Sequence, residues 1–212
     1  MITLFGTGLA TARTDAGSIP LPTNLGGTKV RVNNILSPLI VVLATQINAQ
    51  LPYEIVVGSA SVTVELNGVV SAPFTFGVQA AAPGIFVYGE NRAVAQNVAA
   101  DGSVTLNTPS NPVIPGNPMV IYLTGEGMLD NPVATGAAAV NDPLSHPSAP
   151  YSVSVGGKPA GVDFVGMTPG LVALGQADIR VPADLTPGDY AVVVTIGGKQ
   201  SNAPNITVGK KP

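Results

Sequence analysis

The residues best suited to acid–base chemistry lie close together in the second half of the chain. His146 is the only histidine among 212 residues, Ser145 precedes it, and Asp142 lies four positions earlier. A catalytic triad needs a base that takes the proton from the nucleophile. A serine adjacent to its base is not a known triad pattern, and the sequence has no Gly-x-Ser-x-Gly elbow. These three residues are the catalytic candidates of a hydrolase alternative, whereas a loop histidine is the favoured interpretation.

Carboxylates offer two further kinds of chemistry. The twelve acidic residues are spread thinly over predicted turns and strand edges, so a glycosidase pair stays open while turn aspartates are favoured. Calcium takes oxygen ligands, and Glu126, Asp130 and Asp142 crowd one segment without the spacing of an EF-hand. These three are the calcium candidates, and no other cofactor is predicted. One histidine and no cysteine disfavour a structural zinc site.

Exposed aromatic rings are the third candidate group. Flat, rigid rings bury contact area at a low cost in conformational entropy, which suits them to sugar binding. The chain has five tyrosines, five phenylalanines and no tryptophan. Tyr53, Tyr88 and Tyr151 are the candidate sugar contacts, although partly buried tyrosines of a β-sandwich are the favoured interpretation. A carbohydrate-binding module is therefore kept as an alternative.

Composition limits the classes of partner. Charged residues make up 10% of the chain, against about 25% in typical domains. The net charge is −3 and the basic residues are scattered, which disfavours nucleic-acid binding. The longest apolar run, Ile35–Ala44, is interrupted by Ser37 and Pro38, so no transmembrane segment is predicted. No signal peptide is visible before the first predicted strand, which favours an excerpt of a longer exported product.

Runs of Val, Ile and Thr separated by Gly and Pro predict an all-β fold. Ser59–Leu66 alternates between apolar and polar residues, and Asn67-Gly68 after it is a strong hairpin signal. Arg92–Val98 and Ser103–Leu106 predict a second hairpin, which turns at Ala100-Asp101-Gly102. Sequences typical of capped amphipathic helices are absent.

Self-comparison divides the chain into two similar parts. A constant offset of 130 residues joins Gln46 to Gln176 and Ser71 to Ser201, with matched prolines and glycines between them. Upstream of these positions, three further matches are predicted: Gly6-Thr7-Gly8 with Gly125-Glu126-Gly127, Gly26-Gly27 with Gly156-Gly157, and Ser37-Pro38 with Thr168-Pro169.

The repeat predicts two tandem immunoglobulin-like β-sandwiches, residues 1–78 and residues 118–209. Each is near the size of such a domain, which is roughly 100 residues. Residues 79–117 between them are predicted to form a connecting hairpin segment. The second repeat carries an insert, Met128–Pro150, which is predicted to form an extended loop at one end of its sandwich, where binding sites are common.

Several segments together carry a resemblance to a known family: Pro83-Gly84-Ile85-Phe86, Asp101-Gly102-Ser103, Asn111-Pro112, Gly125-Glu126-Gly127 and the run from Gly156 to Pro182. They resemble an uncharacterised C-terminal domain found at the ends of large secreted acidobacterial proteins. Each repeat also resembles the IPT/TIG immunoglobulin-like domain, whose opening strand ends in a Gly-x-Gly turn. These resemblances imply an immunoglobulin-like fold and a module appended to extracellular proteins, and they imply no catalytic residues.

The sequence as a whole predicts a non-catalytic secreted or cell-surface module for adhesion, spacing or assembly. Its expected partner is a protein or polysaccharide at the cell surface. Two alternatives stay open. One is a secreted hydrolase that acts on an ester, lactone or glycoside at a site between the sandwiches, and the other is a carbohydrate-binding module. Whether the chain is an enzyme is left open, with a non-enzyme favoured.

Overall fold

The computed structural model describes residues 1–210, which form twenty-two β-strands and no helix. The predicted all-β class is therefore confirmed. Since these residues contain no helix, none of them forms a helix that could cross a membrane. Every strand lies in one of four sheets, and the buried apolar residues form two separate cores.

The chain forms two compact units, each with its own core. The first comprises Met1–Ala80, Asn131–Leu144 and Pro169–Ala173, and the second comprises Ala81–Asp130, Ser145–Thr168 and residues 174–210. The predicted repeat boundaries stay a prediction, because the compact units group the chain differently. The predicted connecting segment belongs almost wholly to the second unit, and the middle of the predicted insert belongs to the first.

The first unit has two sheets. Its strands are β1 (Ile2–Phe5), β2 (Thr14–Asp15), β3 (Thr28–Val32), β4 (Ile35–Ser37), β5 (Leu39–Val42), β6 (Gln46–Ala49), β7 (Gly58–Leu66), β8 (Val69–Val70) and β9 (Phe74–Val78). Sheet A has the order β1-β6-β5-β2. Sheet B has the order β4-β3-β7-β8, and β9 also pairs with β7. The core lies between the two sheets and includes Val30 and Val62 of sheet B and Val42 and Ile47 of sheet A.

The second unit also has two sheets. Its strands are β10 (Gly84–Ile85), β11 (Val87–Tyr88), β12 (Arg92–Ala93), β13 (Ala95–Val98), β14 (Val104–Leu106), β15 (Pro118–Thr124), β16 (Tyr151–Val155), β17 (Lys158–Pro159), β18 (Gly161–Met167), β19 (Gly175–Arg180), β20 (Gly188–Ile196), β21 (Lys199–Gln200) and β22 (Asn205–Val208). Sheet C has the order β14-β13-β15-β19-β18, and β10 also pairs with β15. Sheet D has the order β11-β12-β22-β20-β16-β17, and β21 also pairs with β20. The predicted hairpin is present as β13 and β14, which pair in an antiparallel ladder.

The same local structure is built in both units around a serine. The hydroxyl of Ser71 accepts a hydrogen bond from the N–H of Val64 at 3.1 Å, and the N–H of Ser71 donates to the carbonyl of Val64 at 2.8 Å. Ser201 makes the same two bonds with Val194 at 3.0 and 2.9 Å, 130 positions later. Each serine lies between two short strands that pair with the same long strand: β8 and β9 pair with β7 in the first unit, and β21 and β22 pair with β20 in the second. The matched sequence positions therefore have the same structural role.

The strand registers correct the three upstream matches. Phe5 pairs with Gln46, and Tyr122 pairs with Gln176, which aligns Gly8 rather than Gly6 with Gly125. The two-residue turns also align differently, since Asn33-Asn34 joins β3 to β4 as Gly156-Gly157 joins β16 to β17. All four of these turn residues have positive φ, a conformation that Asn shares with Gly. The match of Ser37-Pro38 with Thr168-Pro169 was wrong too, because the first pair precedes β5 and the second follows β18.

A buried amide fastens the segment before β15 to sheet D. Asn107 is 1% exposed. Its Nδ2 donates to the carbonyl of Thr207 at 2.9 Å and to Oδ1 of Asn97 at 2.9 Å. Its Oδ1 accepts from the N–H of Thr207 at 2.8 Å. Asn202 holds the same segment at Ile85 by two further amide bonds. The segment is thus an integral part of the second unit.

Part of the predicted insert is bonded into the first unit in the same way. Oε1 of Gln50, a buried residue, accepts from the N–H of Gly136 at 2.6 Å. The carbonyl of Gly136 accepts from the N–H of Leu21 at 2.8 Å, and the hydroxyl of Thr135 donates to the carboxylate of Glu54 at 2.8 Å. These bonds explain why residues 131–144 group with the first unit.

Replacing Asn107 by alanine should destabilise the protein by about 1–3 kcal/mol, because the N–H of Thr207 loses its acceptor and the carbonyl of Thr207 keeps only the N–H of Val113 as a donor. The exposed Asn141 provides a control, for which alanine should change the free energy of unfolding by less than about 0.5 kcal/mol. Urea unfolding of both variants measures the difference. Equal midpoints for the two variants would show that Asn107 does not fasten the segment.

Candidate binding face

The three triad candidates have separate environments. Ser145 is 1% exposed, and its main-chain carbonyl accepts from the N–H of Met167. Nδ1 of His146 lies 3.0 Å from the carbonyl oxygen of Val165, and the ring meets the edge of Phe164 at a centroid distance of 4.9 Å. Asp142 is exposed, in a segment that belongs to the first unit. The imidazole of His146 thus bonds to main chain through a nitrogen that carries the proton.

The calcium candidates have different structural roles. Oδ1 of Asp130 accepts from the N–H of His146 at 2.8 Å, and the N–H of Asp130 donates to the carbonyl of His146 at 3.0 Å. Asp130 therefore bonds to the main chain of His146 within the second unit, whereas Glu126 is buried in that unit. Residues 1–210 contain no cluster of three or more acidic or histidine side chains that is able to hold a metal ion. Calcium binding stays a prediction.

Glu126 is a buried carboxyl group that shapes the strand beside it. It is 6% exposed, and its Oε1 has no hydrogen-bond partner among residues 1–210. Burial raises its pKa to about 7, and backbone N–H groups at Glu126 and Gly125 act in the opposite direction. A Cβ atom at Gly175 would lie 1.6 Å from Oε1, so the carboxyl occupies space that only glycine leaves free.

A cleft of about 190 Å³ lies beside the hairpin of β13 and β14. Its lining includes Asn97, Thr105 and Asn111. The amide nitrogen of Asn97 donates to the carbonyl of Asn111 at 2.8 Å, and that of Asn111 donates to Oγ1 of Thr105 at 2.9 Å. Because these amides are used within the protein, the cleft is best explained as part of the scaffold of the hairpin.

The outer face of sheet C presents the side chains most suited to binding. Residues alternate between the two faces of a strand, so the neighbours of the fully buried Ile121, Ala177 and Val165 point outward. Tyr122 pairs with Gln176, and Phe164 pairs with Asp178. We define the polar face as five partly exposed residues from four adjacent strands: Gln96, Tyr122, Phe164, Gln176 and Asp178.

Hydrogen bonds within the polar face leave two amide groups available. The hydroxyl of Tyr122 donates to Oε1 of Gln96 at 2.9 Å. Nε2 of Gln176 donates to both carboxylate oxygens of Asp178, at 3.0 and 3.1 Å. Among residues 1–210, Nε2 of Gln96 and Oε1 of Gln176 make no hydrogen bond, and neither atom is buried. A donor and an acceptor are therefore available on the two sides of the Tyr122 ring.

Carboxylates give this face a negative character. Burial raises the pKa of Asp178, the Gln176 amide lowers it, and the charge of Asp163 raises it again. Burial also raises the pKa of Tyr122, with a contribution from the charge of Asp178. Asp163 is paired with Arg180 at 3.2 Å. Asp178, which has no basic partner among residues 1–210, therefore disfavours an acidic ligand.

The tyrosines chosen from the sequence lie elsewhere. The hydroxyl of Tyr88 donates to the carbonyl of Asn107 at 2.7 Å and belongs to the scaffold. Tyr151 begins β16 of sheet D, and Tyr53 lies in the first unit. Tyr122 was missed because it lies within an apolar run. The available signal was its position between Ile121 and Leu123, two residues that a strand points to the opposite face.

Comparison with known proteins assigns no family. No family model matches the chain, and no curated protein matches it. Among solved structures, the chain is similar to SGBP-B of the Bacteroides ovatus mixed-linkage glucan utilization locus, whose structure is a complex with a mixed-linkage heptasaccharide. The identity is 14% and the TM-score 0.33, over 99% of this chain and 48% of that chain. The chain thus spans about half the length of that protein, and a likeness of this size assigns it no function.

The buried carboxyl of Glu126 predicts a pH-dependent stability. Its pKa is about 7 in the folded protein and near 4.5 when solvated, so the folded state holds the proton more tightly. The tighter proton binding stabilises the folded protein fully below about pH 4.5. This stabilisation is lost as the pH rises through about 7, so the free energy of unfolding falls by about 3 kcal/mol in all. Replacing Glu126 by glutamine should remove this slope and give a protein more stable than the wild type at pH 8.

Urea unfolding between pH 4.5 and 8 measures that slope. The control is the replacement of Glu90, an exposed glutamate of the same unit, by glutamine, which should leave the slope unchanged. Parallel pH profiles of the wild type and the Glu126 variant would show that the carboxyl is ionised at neutral pH in the folded protein.

Proposed function

We propose that the protein is a non-catalytic module of the cell exterior that binds a neutral polysaccharide through the polar face. One observation carries the proposal. The ring of Tyr122 lies between Gln96 and Gln176, whose free amide groups supply a donor and an acceptor. Adhesion to a polysaccharide surface is the role that such a module would serve.

The chemistry of this face matches that of a sugar ring. A pyranose presents a flat face of C–H groups, which packs on an aromatic ring, and hydroxyl groups that both donate and accept hydrogen bonds. Tyrosine offers a rigid ring with a polar tip. A glutamine amide has two N–H donors and a carbonyl acceptor. Because the polar face lies on paired strands rather than on a loop, these groups are held in fixed positions before the ligand arrives.

The charges favour a neutral polysaccharide over an acidic one. Asp178 on the polar face would repel uronic acids or sulfated sugars, whereas the charge of Asp163 is paired with Arg180. The net charge of the chain is −3, in the same direction. A neutral glucan, mannan or xylan meets no such repulsion.

The proposal includes the finer architecture and the location. Two tandem immunoglobulin-like sandwiches are supported by the serine-closed strands and by the shared register shifts at Leu39/Val41 and Val162/Phe164. A secreted or cell-surface location is supported by the resemblance to C-terminal domains of secreted acidobacterial proteins. Such a chain would present its sheet faces outside the cell.

Removal of the Tyr122 ring should weaken polysaccharide binding. We expect Tyr122→Ala to reduce affinity about tenfold or more, because buried aromatic contacts dominate binding energy. Tyr122→Phe keeps the ring and should reduce it less. Isothermal titration against soluble glucan, mannan, xylan and an acidic pectin gives the affinities. Tyr151, which is 38% exposed on sheet D, provides the control, and Tyr151→Ala should bind as the wild type does.

Two results would contradict this proposal. One is the absence of binding to every neutral polysaccharide on a broad glycan panel. The other is binding that Tyr122→Ala and Tyr151→Ala weaken equally, which would place the site elsewhere. A preference for pectin would overturn the choice of a neutral ligand.

A further inference from the structure

Equivalent core positions differ in burial between the two units. The registers align β1 with β15, because Ile2 and Met119 pair with residues of β6 and β19 that are 130 positions apart. They align β9 with β22 in the same way, because Phe76 and Ile206 pair with residues of β7 and β20 that are 130 positions apart. In the second unit Met119, Ile121 and Ile206 are 0% exposed and Val208 is 1% exposed. Their counterparts in the first unit, Ile2, Leu4, Phe76 and Val78, are only partly buried.

A single segment buries these positions in the second unit. Its strands β10 and β13 pair with β15 on one sheet, and β12 pairs in parallel with β22 on the other. Val113 forms a second parallel bridge to Val208. Residues 84–113 therefore cover the open side of that sandwich. We call them the covering segment.

Main-chain groups show the same contrast. In the second unit the outward N–H groups of β22 are bonded: Asn205 donates to the carbonyl of Asn91, Thr207 to Oδ1 of Asn107, and Gly209 to the carbonyl of Val113. The counterparts of Asn205 and Thr207 are Thr75 and Gly77 of β9. Because β9 has the same register on β7 as β22 has on β20, their N–H groups point away from β7, and within residues 1–210 neither donates to a group outside the ladder. The outer edge of β9 is thus an unpaired strand edge.

This edge is also apolar. Phe74 of β9 is 68% exposed, and Val69 and Val70 of the neighbouring β8 are 75% and 58% exposed. Residues 69–78 carry no charge. Proteins normally protect a strand edge by charge, proline or cover, and an exposed apolar patch marks an interaction site. Strand addition at such an edge is an established mode of peptide recognition.

We propose that β9 accepts an extended, uncharged segment of another polypeptide as a parallel strand. The added strand takes the place on the first unit that the covering segment takes on the second. Its backbone carbonyls accept from Thr75 and Gly77, as the carbonyl of Asn91 accepts from Asn205. Small aliphatic side chains face Phe76, as the buried Ala93 lies beside β22 in the second unit.

The sequence at one anchoring position favours a partner that binds reversibly. Asn202 holds Ile85 of the covering segment by two amide bonds, at 2.7 and 3.0 Å. The position 130 residues earlier is Ala72, which has no amide. A strand on the first unit therefore lacks this anchor. Parallel addition also excludes the symmetric pairing of two β9 strands, which would be antiparallel.

A synthetic peptide of residues 81–114, with Glu90, Arg92 and Asp101 replaced by Gln, Gln and Asn to remove its charges, is a direct probe of this edge. Added to the full chain, it should bind with one-to-one stoichiometry and protect the amides of Thr75 and Gly77 from hydrogen exchange. Phe74→Lys should weaken binding at least tenfold, because it places a charge where the peptide buries apolar surface. Thr75→Pro should also weaken peptide binding, because it removes an N–H that points away from β7 without removing a hydrogen bond to β7. Met128→Lys, at a residue of the second unit that is 79% exposed, provides the control.

Four outcomes would overturn the proposal. They are no binding, binding unaffected by Phe74→Lys and Thr75→Pro, protection confined to Asn205 and Thr207, and a dimer of the chain alone that protects Thr75 and Gly77. Protection confined to Asn205 and Thr207 would mean that the peptide displaces the covering segment of the second unit. A dimer would mean that a second copy of the chain, and not another polypeptide, pairs with β9. Folding of each variant is checked by its urea midpoint, which the exposed position of Phe74 should leave near that of the wild type.

Discussion

The register between β15 and β19 is the constraint on which the second unit depends. It places Ile121 opposite Ala177 in the core and Tyr122 opposite Gln176 on the outer face. A shift of one residue would exchange these two sets and bury the polar side chains. The same register ends at Gly175, where the absence of a side chain leaves room for the carboxyl of Glu126. The core, the polar face and the buried carboxyl therefore follow from one ladder.

The covering segment shows how a sandwich completes its core at the open side. It contributes strands to both sheets, so it closes two edges at once and brings four core residues to complete or nearly complete burial. Ordering such a segment costs conformational entropy, which the added burial and the amides of Asn107 and Asn202 offset. The first unit has the same ladder without this cover. Its partly buried Phe76 and Val78 are therefore a consequence of the missing strand and not of a different fold.

Local patterns predicted the strands better than the pairing between them. The alternation of residues 59–66 and the Asn67-Gly68 turn gave β7 and its hairpin correctly, because both signals are set by neighbouring residues. The turn at Asn33-Asn34 was not matched to Gly156-Gly157, since different residue types satisfy the same positive φ. The grouping of residues 131–144 with the first unit depends on distant bonds such as that between Gly136 and Gln50, which no local pattern shows.

The polar face was hidden from the sequence for a related reason. Tyr88 and Tyr151 stand beside polar or turn residues, whereas Tyr122 lies in an apolar run, and its exposure depends on which neighbours face the core. Gln96 is further hidden, because its place beside Tyr122 requires β13 to pair with β15. Only the assembled sheet brings these side chains together.

Comparison of the two units shows what makes the polar face specific to the second. The first unit carries a similar pair of side chains, since Nε2 of Gln46 donates to Oδ1 of Asn48 at 2.8 Å as Gln176 donates to Asp178. Phe5 stands at the position of Tyr122, without a hydroxyl. The glutamine pair thus belongs to the shared architecture. The bond between Tyr122 and Gln96 does not, because Gln96 lies on the covering segment. The strand that completes the core of the second unit also completes its polar face.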